Sequence, residues 1–525
     1  MVRVTQTIDY GDDIVRFVER AAKADPDGLA LIFEDGIGIT RQQLWDGAKG
    51  FAGYLSGFIG PTDRVAIMSS NRCEFMMVWI AVVACRGELV SMNPTVGHHD
   101  AGHILRDSGA KVVVTEPAHT TLFEGLRAEC PDLAQVIVLQ ASEPHGLEEY
   151  LRPFELDRPS EASADVTNIF YTSGTTGTPK GCMVDHAYWI HFAGLVSDTY
   201  GFTGADRMLC CLQFFYNDPP WQLLVSLQAG SPLISMRRFS VSRYWKVVRD
   251  FNVTILFGIA STASLLLKAP LDGNERSHNV RLALHVGIPK ALHRDLVERW
   301  GVPWVEGYGL TETGLIIMTP VSMSDELVGS GSIGMAASGM DVKIVDDQGN
   351  DAPAGTTGEI VVRGPGLMRG YLNRPEATAE TMRNGWLHTG DLGSRDARGL
   401  YYFLGRKKDV IRRNGENIAA AEVENVLRSH PKVLEAAAVP ALDELRGEEV
   451  KVHVLLQPGE TAATAPAKDL VEFCASQLAK YKVPRYVEYR DIEFERTPSM
   501  RVKKQELSRD THGDGVWDRE IELGW

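Results

Sequence analysis

The groups best able to do chemistry crowd into Tyr171 to Gly181, which reads Tyr-Thr-Ser-Gly-Thr-Thr-Gly-Thr-Pro-Lys-Gly; eight of these eleven residues are Gly, Thr or Ser. Gly174, Gly177 and Gly181 let the backbone turn and approach a ligand closely. The hydroxyls of Thr172, Ser173, Thr175, Thr176 and Thr178 can donate to phosphate oxygens, and Lys180 adds a positive charge. Exposed backbone N–H groups and hydroxyls suit an anion, and a nucleotide polyphosphate is the obvious one. The Walker pattern is absent, because Pro179-Lys180-Gly181 stands where Gly-Lys-Ser/Thr would be needed, and G-x-G-x-x-G is absent too. Composition alone also allows a flexible linker. Pro179 and the strand-like lead-in Ile169-Phe170-Tyr171 count against that.

Four further stretches carry chemistry. Gly307-Tyr308-Gly309-Leu310-Thr311-Glu312-Thr313 puts an aromatic ring, a hydroxyl and a carboxylate on one glycine-hinged turn. Trp386-Leu387-His388-Thr389-Gly390-Asp391 ends a strand with a carboxylate. Gly405 to Ile418 is a basic cluster followed by Asn414-Gly415-Glu416-Asn417. Thr497 to Leu507 reads Thr-Pro-Ser-Met-Arg-Val-Lys-Lys-Gln-Glu-Leu. Each alone also reads as something plain: a turn, a strand end, a solvated charge run, a basic tail.

These stretches need elements to position them. At 525 residues and 44% hydrophobic content, the chain is expected to form two or more domains with a sizeable core. Strand and helix patterns alternate at the start. Asp12 to Ala24 and Thr40 to Phe58 have helical spacing, with Thr40 as a cap. Leu29 to Phe33, Arg64 to Met68, Ala110 to Thr115 and Gln135 to Leu139 read as strands. The expectation is an α/β fold: parallel sheets stacked with helices in a large N-terminal domain. Thr254 to Phe257 and Leu282 to Val286 read as buried strands followed by turns, where such sheets place ligand groups. Gly329 to Arg363 is hairpin-rich, with the character of a small distorted barrel. A boundary near Phe403 to Asp409 divides residues 1–404 from a small, mobile α+β domain, residues 405–525, with a hinge near Lys408.

A net charge of −15 argues against nucleic acid or an anionic membrane as a general partner. Seven scattered cysteines without a C-x-x-C pair suggest neither a disulfide framework nor zinc, and fit a reducing cytoplasm. The N-terminus has no apolar core for a signal peptide. The apolar run Phe75 to Cys85 is shorter than the ~20 residues a membrane helix needs, and reads as a buried helix.

Taken together and in this order, the motifs resemble the adenylate-forming superfamily of acyl-CoA synthetases, adenylation domains and beetle luciferases. The resemblance runs from about Arg41 to Leu507, and includes Ser91-Met92-Asn93-Pro94 and Lys480-Tyr481-Lys482-Val483-Pro484. It implies an acid–thiol ligase working between a large domain and a swivelling small one. A carboxylate attacks the α-phosphate of Mg-ATP to give acyl-adenylate and pyrophosphate; a thiol, usually of CoA, then displaces AMP. By the same resemblance, Thr172, Ser173, Gly174, Thr175, Thr176 and Lys180 would hold the β- and γ-phosphates. Tyr308, Gly309 and Gly287-Ile288-Pro289 would form the adenine pocket. Thr311 would touch the α-phosphate, and Glu312 would hold Mg²⁺, a cation suited to hard oxygen ligands. Asp391 would accept the ribose hydroxyls with Arg406 in support, Lys408 would be the pivot, and Gly415 would flank the pantetheine tunnel. Phe215, Tyr216 and Trp221 would line the acyl pocket; core packing is the competing role for these rings.

One motif departs. Relatives usually read Thr-x-x-Gly-Lys where this chain has Thr497-Pro498-Ser499-Met500-Arg501, and their Lys bridges the substrate carboxylate and the α-phosphate. An Arg keeps the charge but is planar and longer, so it is not an equivalent at a positioned site. The thioester half does not use that residue. The expectation is therefore an acyl-CoA synthetase whose thioesterification is intact and whose adenylation is weakened, in the extreme fed with acyl-adenylate by a partner enzyme. Three alternatives stay open: full competence through Arg501 or Lys503, loading of a carrier protein, and a silent binding module. A homodimer is a further expectation from relatives. The acid itself is not legible.

Overall fold

The computed structural model describes residues 13–523, except 157–163, 173–178, 260–261, 415, 444, 497–501, 508, 512 and 514. Helix Ile14–Ala24 starts where the Asp13 carboxylate accepts from the Arg16 amide at 3.0 Å, and its apolar side chains at 14, 15, 17, 18, 21 and 22 are buried along one stripe. Helix Arg41–Leu55 has the expected Thr40 cap. The Thr40 hydroxyl accepts from Gln43 N at 3.1 Å while the Gln43 side chain accepts from Thr40 N at 2.9 Å. Helix Cys73–Ala84 is buried along its whole length, as an all-round apolar helix must be. Among the described residues, no helix is long and apolar enough to cross a membrane.

Two large sheets build the N-terminal part. The seven-stranded sheet runs Gly370–Tyr371, Lys180–Asp185, Val166–Thr172, Glu88–Met92, Arg64–Met68, Val112–Thr115, Gln135–Val138. Its last five strands are parallel, while Val166–Thr172 and Lys180–Asp185 form an antiparallel hairpin with Thr172 opposite Lys180. Thr172 and Lys180, at the two ends of the glycine- and threonine-rich stretch, are thus partners in that hairpin.

The fourteen-stranded sheet has a parallel part that includes Ile255–Ile259, Leu282–Val286 and Trp304–Leu310. Trp304–Leu310 then pairs antiparallel with Gly314–Met318, and the sheet continues through Ser332–Ala336, Tyr401–Arg406, Trp386–Arg395, Gly358–Arg363 and Asp341–Val345. The hairpin-rich region suggested a small barrel. Among the described strands its pairings instead trace an open path, because the turn after Trp304–Leu310 hands the sheet on edge to edge.

Sheet membership changes between Arg406 and Val410. Val410–Arg413 belongs to a separate six-stranded sheet with Glu416–Ala419, Val433–Asp443, Gly447–Leu456, Tyr486–Arg490 and Val516–Asp518. Helices Ala420–Ser429 and Ala467–Gln477 contribute Val423, Leu427, Leu470, Val471 and Cys474 to a core distinct from that of the large sheets. Lys268, at the end of helix Thr262–Lys268, reaches across to this part and donates to the Val433 carbonyl at 2.7 Å; burial pushes its ammonium down to about 8.

Candidate active site

Strands Trp304–Leu310 and Gly314–Met318 meet in a turn that only glycine permits at two places. A Cβ on Gly309 would lie 1.9 Å from the Gly314 carbonyl oxygen, and Gly314 has φ +62°. This turn fixes Tyr308, whose hydroxyl donates to Asp391 Oδ2 at 2.8 Å. Arg406 Nε lies 3.1 Å from Asp391 Oδ1, and the two residues face each other across neighbouring strands. Asp391 is only 1% exposed, so these partners stand in for the water it has lost. The sequence reading ends a strand at Asp391. The strand in fact runs Trp386–Arg395, because Tyr401–Arg406 keeps pairing beyond it; Gly390, at φ +70°, supplies the local kink. Glu359 holds that kink, accepting from Gly390 N at 3.1 Å and facing His388 Nδ1 at 3.2 Å.

Two residues before Tyr308 is Glu306, which sequence reasoning missed. Its carboxylate accepts from Gly287 N at 2.7 Å and from Ile288 N at 2.9 Å. Burial pushes its carboxyl up to about 8 against the pull of those two amides. Glu306 therefore clamps the Gly287-Ile288-Pro289 turn to the strand carrying Tyr308. Only its place in the run Glu306-Gly307-Tyr308 could have signalled it.

Glu312 lies just beyond the Gly309 turn. Its Oε1 accepts from the Tyr371 hydroxyl at 2.8 Å, and its main-chain carbonyl from Met368 N at 2.9 Å. No partner is seen for Oε2 among the described residues. The Lys180 ammonium sits 5.4 Å from the centre of the Tyr371 ring, so one tyrosine ties the foot of the phosphate-loop hairpin to Glu312. Thr311 is half-buried in the same turn. Ser173, Gly174, Thr175 and Thr176 lie outside the described residues, as do Gly415 and Arg501.

The segment around Phe215, Tyr216 and Trp221 is built differently. Asn71 lies just ahead of the buried helix Cys73–Ala84. Its amide is spent on the Leu212 carbonyl at 2.8 Å, the Met236 carbonyl at 2.9 Å and Phe214 N at 2.7 Å. It thus pins the segment leading to Phe215 and Tyr216, whose rings lie 4.2 Å apart. Tyr216 keeps accessible surface and Phe215 little. Trp221 is wholly buried between Phe192 and Phe257, so it backs this wall from the core.

In the small domain, Lys408 falls in the short 3-10 turn Lys407–Asp409 that follows the last strand of the large sheet. Lys407 bonds Asp347 at 3.0 Å on the large-domain side. Lys503 Nζ faces Glu506 at 3.2 Å and Glu495 at 3.6 Å, both in its own domain.

Comparison with known proteins matches residues 18–372 to the AMP-binding enzyme family and 422–501 to the AMP-binding enzyme C-terminal domain. A crotonobetaine/carnitine–CoA ligase of Citrobacter koseri is 30% identical, covering 95% of this chain and 99% of its own. The o-succinylbenzoate CoA synthetase MenE of Bacillus subtilis, solved with its acyl-adenylate intermediate, superimposes with a TM-score of 0.81 at 29% identity, covering 94% of this chain and 97% of its own. ATP-bound MatB from Rhodopseudomonas palustris gives 0.83 at 27% identity, with the same coverage.

Proposed function

The chain belongs to the AMP-binding enzyme family and is an acid–thiol ligase of the acyl-CoA ligase kind, and on that premise we propose that it makes an acyl-CoA through an acyl-adenylate, with thioester formation its stronger half-reaction. The observation that carries this reading is buried Asp391, bonded by the buried Tyr308 hydroxyl and faced by the half-buried Arg406. A carboxylate shielded from water and held by a tyrosine and an arginine offers two acceptor oxygens to a pair of vicinal hydroxyls, as a ribose presents. The Glu306 clamp supports an adenine site beside it, since the Gly287 turn is fixed before any nucleotide arrives.

The residues fit a divalent metal: Glu312 is anchored through one oxygen and leaves the other for a hard cation. Glu312 would hold Mg²⁺, which would neutralise charge on the phosphates. Thr311 and the phosphate-loop hairpin would orient the nucleotide. In the first half-reaction, a carboxylate oxygen of the acid bonds to the α-phosphorus and the bond to the bridging oxygen of pyrophosphate breaks. In the second, a thiolate sulfur bonds to the acyl carbon and the bond to AMP breaks. The domain change between the halves would pivot at Lys408, and Gly415 would flank the path of the thiol.

Arg501 stands where relatives carry the lysine of the first half, and Lys503 already faces two carboxylates of its own domain. Both facts favour a weakened adenylation. Arg501 keeps the charge but not the lysine's placement, and losing one preorganised stabilising contact costs on the order of 10²–10³ in rate. The test measures pyrophosphate release from acid and ATP beside acyl-CoA formation from synthetic acyl-adenylate and CoA. Slow release with fast thioester formation is expected. Release as fast as the thioester step would show full competence, and no thioester from acyl-adenylate would overturn the ligase reading. Arg501→Lys is expected to speed pyrophosphate release about tenfold or more.

A further inference from the structure

Tyr371 meets two groups of opposite charge at once, and it does so from a rigid mount. Strand Gly370–Tyr371 pairs antiparallel with Lys180–Asp185, with Tyr371 opposite Cys182. Two bonds fasten its flanks to the same strand: Arg369 N donates to the Met183 carbonyl at 2.7 Å, and Leu372 N to the Gly181 carbonyl at 2.8 Å. The Tyr371 amide itself donates to the Thr378 hydroxyl at 2.9 Å, and Met368 N to the Glu312 carbonyl at 2.9 Å. One short segment is therefore bonded both to the phosphate-loop hairpin and to the turn that carries Glu312.

From that mount the side chain works in two directions. Its hydroxyl donates to Glu312 Oε1 at 2.8 Å, while its ring centre lies 5.4 Å from the Lys180 ammonium. The division follows the charge distribution of a phenol, whose ring face attracts a cation and whose O–H donates to an anion. Burial, with the Glu312 charge beside it, pushes the phenol well above its ordinary range, so the hydroxyl keeps its proton and stays a donor.

What the ring prevents matters as much. Among the described residues Lys180 and Glu312 form no ion pair, although both face this one side chain. A lysine or arginine bonded to Glu312 would orient the carboxylate and cancel its charge together. A neutral hydroxyl orients it and leaves the charge for another cation.

We propose that Tyr371 is a positioning residue that sets how strongly a divalent cation tightens ATP binding: its hydroxyl holds one oxygen of Glu312 so that the other meets the cation, and its ring keeps Lys180 off that carboxylate. The inference rests on the ligase reading, in which Glu312 holds Mg²⁺ and Lys180 the phosphates. Tyr371 touches no reacting atom and acts through these two residues.

Calorimetry on the full chain, with no acid present, measures ATP binding with Mg²⁺ and with EDTA, and AMP binding beside them. In the native protein Mg²⁺ is expected to tighten ATP at least about tenfold; Tyr371→Phe is expected to remove most of that gain while changing AMP affinity by less than about twofold. Phe fills the same space without the hydroxyl, and thermal unfolding reports whether the variant folds. Glu312→Gln still offers an oxygen to the hydroxyl but no charge to the cation, and is expected to lose the gain as well. A gain that survives in either folded variant overturns the proposal, as does the absence of a gain in the native protein. Equal weakening of ATP in EDTA and of AMP in Tyr371→Phe would mean a general structural loss, and overturns it too. In each of these cases the native chain still binds AMP, so the ligase reading stands. Failure of the native chain to bind either nucleotide would instead remove the ligase reading and this proposal with it.

Discussion

The proposed nucleotide side and the proposed acyl side of the site are built on opposite principles. On the nucleotide side, the carboxylates of Asp391, Glu306 and Glu359 are each held by amides, a hydroxyl or a guanidinium. On the acyl side, Asp218 has one neutral donor, and Gln222 has none among the described residues. A ligand that never changes can be met by groups already locked in place, which saves reorganisation when it binds. The segment proposed to meet the acid is instead held by packing, with Asn71 pinning it and Trp221 behind it in the core.

Predictions that break or sharpen this contrast run from the largest effect down. Asp391→Ala removes the acceptor of the Tyr308 hydroxyl and the carboxylate paired with Arg406. It is expected to cost on the order of 10²–10³ in kcat/KM for acyl-adenylate plus CoA, checked by steady-state thioester assay. A fall of less than threefold would detach Asp391 from the nucleotide. Glu306→Ala frees the Gly287 and Ile288 amides without touching a ligand. It is expected to raise the KM for nucleotide about tenfold and to change the KM for the acid little; equal changes in both would mean a general structural loss.

The smallest effect concerns stability. The Glu306 carboxyl titrates near 8 in the folded chain against an ordinary value of 4.5. The folded state thus holds the proton more tightly, so the contribution from this group is intact below pH 4.5 and is lost as pH rises toward about 8. Melting temperatures on the two sides of that window should differ less in Glu306→Gln than in the native protein. An identical difference in both would show that Glu306 does not titrate there.

Much of the fold was legible from local pattern. The Thr40 cap, the strands Arg64–Met68 and Leu282–Val286, and the all-buried helix after Arg72 follow from spacing and capping chemistry that need no distant partner. Asp391 stood out in the sequence as a candidate, but its place within a strand did not, because a strand's length depends on what pairs beside it. Trp221 shows the same limit: the sequence left pocket lining and core packing both open for its ring, and only packing against Phe192 and Phe257 puts that ring in the core.

By itself the sequence determined which groups are available: a phosphate-type loop, a Tyr-Gly-Leu-Thr-Glu turn, a Thr-Gly-Asp, and the family these spell out. The tertiary structure alone decided which groups meet. Glu306 with Gly287, Tyr308 with Asp391, and Tyr371 with both Glu312 and Lys180 are pairs set by sheet order across up to 191 residues of chain. Periodicity reports on neighbours a few residues apart, whereas a carboxylate's charge and partners are fixed by whatever the fold brings alongside it.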